Sequence, residues 1–253
     1  MKTSTQCALA AVSVALLLAG TSAMAADPAP SPAVVAALAS PARPAADKAQ
    51  DDTRKAAAVA AFAQIKPGDK VADIFPGGGY FTRVFASIAG PKGVVYGVVR
   101  QSPKDPAVLA NPAFPTIKIA AQQWEDFKPV DKLDVIFNSQ FHHDLYNPEY
   151  GAKGGGEDGV IRVTKAFYDA LKPGGVYIIV DHAGLPGTGH SQMDTLHRIE
   201  ESEVKKVVTG VGFKLEAESD VLHNPADPKT AAVFDPSIRG KTDQFMLRFR
   251  KPK

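Results

Sequence analysis

Cysteine is nearly absent from this sequence: Cys7 is the only one among 253 residues. A single thiol excludes a disulfide within the chain and a zinc site built from several cysteines. Because Cys7 lies in a segment that we expect to be removed, the mature protein would also lack a cysteine nucleophile.

The sequence also has no large excess of positive or negative charge. The 29 Lys and Arg residues nearly balance the 27 Asp and Glu residues, and the net charge is +2. The basic residues are scattered rather than clustered, so the sequence predicts no nucleic-acid partner. The composition is otherwise ordinary, with 45% hydrophobic and 22% charged residues, which is enough to bury the core of one domain.

The sequence also lacks an apolar run long enough to span a membrane. The N-terminal run, residues 8–19, has about 12 residues, whereas a spanning helix needs about 20. It follows Lys2 and precedes the Ala-Met-Ala sequence at residues 23–25, an order typical of a secretory signal peptide. We therefore expect residues 1–25 to be removed and the protein to be periplasmic or secreted. Thr21 stands where a lipoprotein needs its cysteine, so no lipid anchor is predicted.

The segment after this leader divides into a linker and a helix. Residues 26–46 are rich in alanine and proline, a composition typical of a tether, although residues 33–39 are compatible with a short helix. Residues 47–65 predict a longer helix that flanks the domain and ends at a Pro-Gly pair. We expect the folded domain to cover residues 47–253.

Apolar strands and helices alternate through that domain. Strands are predicted over residues 70–75, 93–99, 116–120, 133–138, 176–181, 213–220 and 244–250, and helices over residues 80–89, 160–171 and 191–209. The alternation predicts an α/β fold with a doubly wound, mainly parallel sheet of seven strands. The last two strands are predicted to be an antiparallel pair, which makes the final strand antiparallel.

The first strand leads into the glycine-rich turn Pro76-Gly77-Gly78-Gly79. Open α/β sheets bind ligands at the carboxyl ends of their strands, and glycines let the backbone approach a ligand closely. The helix that follows would present free N–H groups, and Asp73 would accept a hydrogen bond from an amino or hydroxyl group. A tight connection between strand and helix explains the same glycines, so the turn by itself identifies no ligand.

A second group of polar residues follows two later strands and continues into the next predicted helix. We call it the histidine rim, and its members are His142, His143, Asp144, Asp181, His182, His190, Asp194 and His197. The first five should lie at the carboxyl edge of the sheet, and the last three have spacings that share one helix face.

Three interpretations of the histidine rim stay open. A neutral imidazole can take a proton from a hydroxyl or amine. Histidines with a carboxylate can hold a divalent metal, although no metal-binding motif such as HExxH is present. Buried histidines can also simply bond to the backbone.

Several segments carry a resemblance to a known family. They are residues 65–73 (IKPGDKVAD), 133–138 (LDVIFN) and 171–181 (LKPGGVYIIVD), which look like the first cofactor motif, the fourth strand and the fifth strand of class I S-adenosylmethionine (SAM) methyltransferases. The resemblance runs from about residue 56 to residue 251. Residues 75–82 (FPGGGYFT) and 194–199 (DTLHRI) are similar to a bacterial group of predicted, exported methyltransferase-like proteins.

The resemblance implies a SAM-dependent methyltransferase with a small-molecule acceptor. The residues it implies for binding SAM are Asp73, Phe75, Gly77, Gly78, Gly79, Tyr80 and Asn138. The residues it implies for catalysis are His142, His143, Asp144, Asp181, His182 and His197, with His142 or His143 as the base and no metal.

Two positions depart from the family pattern. Phe75 stands where the family has its first glycine, and Val99 stands where it usually has the acid that holds the ribose hydroxyls of SAM. Loss of that acid removes charge-assisted hydrogen bonds worth about 1.5–3 kcal/mol. The departures motivate an alternative, an exported protein that kept the fold, no longer uses SAM and binds another ligand or metal through the histidine rim. A nicotinamide cofactor is a weaker hypothesis, because the G-x-G-x-x-G pattern is absent.

Overall fold

The computed structural model describes residues 27–100 and 111–253. The predicted signal peptide lies outside the described residues, and its removal stays a prediction. Among the residues that are described, no helix has both the length and the apolar character needed to cross a bilayer.

The described residues form one sheet of seven strands. These are β1 (Lys70–Ile74), β2 (Val94–Val99), β3 (Ile117–Ala121), β4 (Leu133–Ser139), β5 (Leu171–His182), β6 (Lys214–Ser219) and β7 (Gln244–Arg250). Their order across the sheet is β3-β2-β1-β4-β5-β7-β6. The first five are parallel, and β7 is antiparallel to both β5 and β6. The predicted α/β class, the mainly parallel sheet and the antiparallel last strand are therefore confirmed.

Helices cover both faces of the sheet. They are α1 (Pro32–Ala39), α2 (Ala45–Lys48), α3 (Ala56–Ala63), α4 (Tyr80–Ala89), α5 (Gly156–Ala170) and α6 (Glu201–Gly210). Side chains alternate along each strand, so Val135 and Phe137 pack with α1, α3 and α4, whereas Ile136 packs with α5 and α6. A short 3-10 helix, His143–Tyr146, follows β4 at the carboxyl edge.

The N-terminal segment differs from its predicted form. Helix α1 packs on α4, with Val34 and Ala37 buried, because its alanines and valines offer an apolar surface and Ser31 caps its first turn. The flanking helix predicted over residues 47–65 is interrupted, since α2 ends early and Lys55 adopts a left-handed φ of 48° before α3. The part of this segment from α1 to the buried Arg43 is thus packed on the domain rather than a free tether.

The helix predicted over residues 191–209 begins only at Glu201. The residues before it form turns, and His197 has a left-handed φ of 54°. The prediction that His190, Asp194 and His197 share one helix face is therefore wrong.

A buried arginine explains why this segment is not helical. Arg198 is fully buried, pairs with Asp227 at 2.9 Å and donates to the carbonyl oxygen of Ala183. Ile199 also forms a parallel bridge with Ala183. These contacts hold the segment against the end of β5. A helix over the same residues would move the segment away from the sheet and break them.

Candidate functional site

The glycine turn carries an unusual residue. Phe75 has a left-handed φ of 53°, which costs a residue with a side chain about 1–2 kcal/mol. Its ring is 51% exposed and stacks on Phe141 with the ring centroids 4.4 Å apart. Phe75 thus has a left-handed backbone conformation of the kind that favours glycine, and it presents an aromatic face at the carboxyl end of β1.

Asp73 lies beneath this turn. Its carboxylate is buried and accepts a hydrogen bond of 2.6 Å from the Thr82 hydroxyl. Desolvation raises the pKa of Asp73 to about 7, against the opposing effect of the Thr82 hydrogen bond. A carboxyl group this costly to ionise is suited to a cationic ligand, which would stabilise the charged form.

A cavity of about 310 Å³ opens over the turn, and we call it the glycine-turn cavity. Its lining includes Asp73, Phe75, Gly77, Gly78 and Tyr80, which the sequence had predicted to bind a cofactor. Gly79 is outside the lining and instead caps α4 with a φ of 76°.

A second cavity of about 400 Å³ adjoins the first, and we call it the β5 cavity. The residues that line both are Gln50, Arg54, Phe81, Ser139 and Gln140. The two cavities therefore form one cleft along the carboxyl ends of β1, β4 and β5.

The N-terminal segment forms one wall of this cleft. Arg83 on α4 holds Asp47 through two hydrogen bonds of 2.7 and 2.9 Å, and both side chains are buried. Asp51 pairs with Arg43 at 2.6 Å and accepts a hydrogen bond from the Tyr80 hydroxyl. The hydrogen bond from Arg43 holds the pKa of Asp51 below its ordinary value, against desolvation.

Several lining residues were not predicted from the sequence. Gln50 and Arg54 reach the cleft only because these ion pairs fix the segment that carries them. Ser139, in contrast, is the last residue of β4 and Gln140 follows it, so the rule that ligands bind at carboxyl ends of strands could have identified them.

His182 is the residue of the histidine rim that lines the β5 cavity. It is 8% exposed, and its Nδ1 lies 2.8 Å from the Thr242 hydroxyl. Burial lowers the pKa of His182 to about 4, although the Asp181 carboxylate opposes this. The ring is therefore neutral near pH 7.

His142 and Asn138 do not reach the cleft. His142 is fully buried with its Nδ1 3.3 Å from the Tyr177 hydroxyl, and burial lowers its pKa to about 4. Asn138 donates to the same hydroxyl at 3.2 Å. Neither side chain lines either cavity, so the geometry does not support His142 as the base or Asn138 as a cofactor ligand.

The remaining predicted catalytic residues meet beside β5. His143 places Nδ1 2.7 Å from Asp181 and Nε2 3.2 Å from Asp144. Its ring centroid lies 5.5 Å from that of His197 and 6.1 Å from that of His182. Desolvation lowers the pKa of His143, but the Asp181 and Asp144 carboxylates outweigh it and raise the pKa to about 10. These residues therefore lie together, although not through a shared helix, and their role in catalysis stays a prediction.

The end of β2 carries a cationic side chain. Val99 is half-buried, and the next residue, Arg100, donates to Gln123 at 3.2 Å and to the carbonyl oxygen of Glu149. This arrangement ties the end of β2 to the loops that follow β3 and the 3-10 helix. Of the residues described at this position, neither Val99 nor Arg100 has a carboxylate.

Solved structures with the same fold include SAM-dependent methyltransferases. One from Aquifex aeolicus has a TM-score of 0.53 and 16% identity over 81% of this chain and 94% of that one. An arsenic(III) SAM methyltransferase from Chlamydomonas reinhardtii has a TM-score of 0.54 and 19% identity, with 89% and 75% covered. A possible exported protein from Bordetella parapertussis has a TM-score of 0.51 and 15% identity, with 81% and 68% covered. The sequence matches no protein-family model and no curated protein. Identities this low establish the fold alone.

Proposed function

We propose that this chain, which has the fold of SAM-dependent methyltransferases, binds SAM and methylates a small-molecule acceptor. The observation that carries the proposal is the cleft at the carboxyl ends of β1, β4 and β5, where open α/β sheets bind ligands. One half of the cleft lies on the glycine turn and suits the cofactor. The other half lies against His182 and suits the acceptor.

The charged and polar groups of the glycine-turn cavity complement the charges at the amino-acid end of SAM. That end carries both an ammonium and a carboxylate group. Asp73 supplies a buried carboxylate for the cation, and the start of α4 supplies free N–H groups for the anion. Arg54, which donates to Gln50 and lies 4.6 Å from the centre of the Tyr80 ring, adds a positive charge on the same cavity.

The aromatic surface near the turn fits a purine less completely. The exposed face of Phe75 is available for stacking, which is worth about 0.5–1.5 kcal/mol for aromatic pairs. The Val99 side chain offers no hydrogen bond to a ribose, so among the described residues the contacts that favour SAM are those to its amino-acid end and the Phe75 ring. We therefore expect an affinity in the micromolar range rather than tighter.

Bound SAM would supply an electrophilic methyl group on its sulfonium. The chain's own task is then to hold an acceptor in line and to exclude water, which is where most of the rate acceleration in such a displacement arises. With Nδ1 engaged by Thr242, the Nε2 atom of His182 is the one available to take a proton from an acceptor hydroxyl or amine.

Replacing His182 with alanine should slow methyl transfer about 100-fold and leave SAM affinity unchanged, because His182 lines only the β5 cavity. The measurement uses SAM labelled at its methyl group, with a fractionated small-molecule extract as the source of acceptor. His223→Ala is the matched control, since that histidine is exposed and pairs with Asp243. Equal transfer by the His182 variant would remove His182 from the mechanism, and no labelled product with the wild-type protein would contradict the proposed activity.

We also propose that the protein acts outside the cytoplasm. The charge, apolar run and small-residue sequence of residues 1–25 support this, as does the likeness to a possible exported protein. SAM would then have to reach the periplasm or the medium.

A further inference from the structure

Three residues of the histidine rim converge where the chain leaves β4. One potential ligand atom from each of His143, Asp144 and His197 lies within 4.8 Å of the other two. His143 is only 2% exposed, whereas Asp144 and His197 are half-buried. We propose that these three residues bind a divalent transition-metal ion, and that Zn²⁺ is the ion their donors fit best.

The unsatisfied atoms of these residues support a ligand between them. The atoms His143 Nε2, Asp144 Oδ1 and His197 Nδ1 are buried and have no hydrogen-bond partner among the described residues. His143 Nε2 and Asp144 Oδ1 are 3.2 Å apart, which is close enough for an ion pair but lacks the alignment of a hydrogen bond. Buried polar atoms are costly without a partner, and a single ion would satisfy all three.

Asp181 supplies the support that metal-binding histidines usually have. Its carboxylate is fully buried and lies 2.7 Å from His143 Nδ1, and it also accepts the backbone N–H groups of His143 and His182 at 2.8 Å. A carboxylate bound to one ring nitrogen fixes the tautomer and leaves the other nitrogen for the metal. The Asp181–His143 pair therefore presents Nε2 as a ligand atom.

The donor set decides the class of ion. Two imidazoles with one carboxylate suit zinc, and zinc sites with three protein ligands keep a fourth position open. Ligands bound at about 2.0–2.2 Å in a tetrahedral site are roughly 3.4 Å apart. With the ligand atoms now within 4.8 Å of one another, binding would require the three residues to approach by at most about 1.4 Å.

The open position would lie beside the acceptor half of the cleft. The His197 ring contacts Phe234, with centroids 4.8 Å apart, and both Phe234 and His182 line the β5 cavity. An ion at this point could bind an oxygen of the acceptor, a role that rests on the proposed methyl transfer. Binding of the ion does not depend on methyl transfer or on SAM, because none of the three ligands lines the glycine-turn cavity proposed for SAM.

The test is metal analysis of the full chain purified without a histidine tag. After equilibration with micromolar free Zn²⁺ and removal of excess ion, the wild-type protein should hold about one zinc per chain. His143→Ala and His197→Ala should each lose it, whereas His223→Ala should keep it. Asp144→Asn, which keeps the side-chain volume, should weaken zinc affinity about 10–100-fold and serves if an alanine variant does not fold.

Two results would overturn the proposal. Wild-type protein that stays free of zinc would show that His143, Asp144 and His197 do not form a zinc site. Zinc bound equally by the wild type and by the His143, Asp144 and His197 variants would place the ion elsewhere. Neither result bears on SAM binding, which is measured separately with no metal added.

Discussion

Replacing Arg198 with alanine is expected to lower the free energy of unfolding by about 3–5 kcal/mol, the cost of breaking a buried ion pair. The substitution leaves the fully buried Asp227 carboxylate without its cation and removes hydrogen bonds to the carbonyl oxygens of Ala183 and Ala231. For a domain of this size the melting temperature should fall by roughly 6–20 °C. Urea and thermal unfolding followed by circular dichroism provide the measurement.

Arg239→Ala is the matched control for this effect, because Arg239 is an exposed arginine between Asp227 and β7. It should change the free energy of unfolding by less than about 0.5 kcal/mol. If Arg198→Ala is as stable as this control, the turns of residues 191–199 are not held by the buried pair, and the explanation for the missing helix there is wrong.

Replacing Asp73 with asparagine is expected to weaken SAM binding about 10–150-fold, because a hydrogen bond to a charged group contributes about 1.5–3 kcal/mol. Asparagine keeps the shape of the side chain and an oxygen that can accept the hydrogen bond from Thr82. The protein should therefore stay folded. Asp131→Asn is the control, since Asp131 is exposed and pairs with Lys70. Isothermal titration calorimetry measures the affinity, and unchanged binding in the Asp73 variant would exclude this carboxylate from the site.

The same carboxylate should make the affinity depend on pH. The pKa of Asp73 in the free protein is raised to about 7, and a cationic ligand requires the charged form. SAM affinity should therefore rise as pH increases through 7 and level off above about pH 8. The dependence of stability on pH has the opposite sign, because the folded protein binds this proton more tightly than the unfolded chain does. The contribution of Asp73 to the free energy of unfolding therefore falls as the pH rises from about 4 to about 7. Asp73→Asn should flatten both dependences, and a wild-type affinity independent of pH would contradict this assignment.

The sheet could be predicted because the sequence pattern of each strand and the turns that follow it indicate the same fold. The central strands β1, β4 and β5 are apolar runs, and glycine turns or helices separate them. Short-range patterns of this kind determine the class of fold. Topology rules for α/β proteins then leave few arrangements for the strands.

The wall of the cleft could not be predicted in the same way. Gln50 and Arg54 lie on the cleft because Asp47 pairs with Arg83, a residue 36 positions away on α4. A contact between residues so far apart leaves no local pattern in the sequence. The alanine-rich composition of the first segment likewise predicted a tether, although α1 found an apolar surface on α4.

The directions of the side chains in the histidine rim could not be predicted from the sequence. His142 and His143 are neighbours, yet His142 points inward to Tyr177 and His143 points to Asp181. Their directions depend on the 3-10 helix that begins at His143, directly after His142. His197 reaches His143 through a left-handed turn fixed by buried contacts, and no spacing along the chain predicts that approach.

The most direct test of the central claim is calorimetric titration of the purified protein with SAM and with S-adenosylhomocysteine near pH 8. We expect one site per chain with micromolar affinity for SAM. We also expect SAM to bind although Phe75 and Val99 differ from the methyltransferase pattern, because Asp73 and the glycine turn would supply the main contacts. No heat of binding for either ligand at millimolar concentration would contradict the account and leave a methyltransferase fold with a different ligand in its cleft.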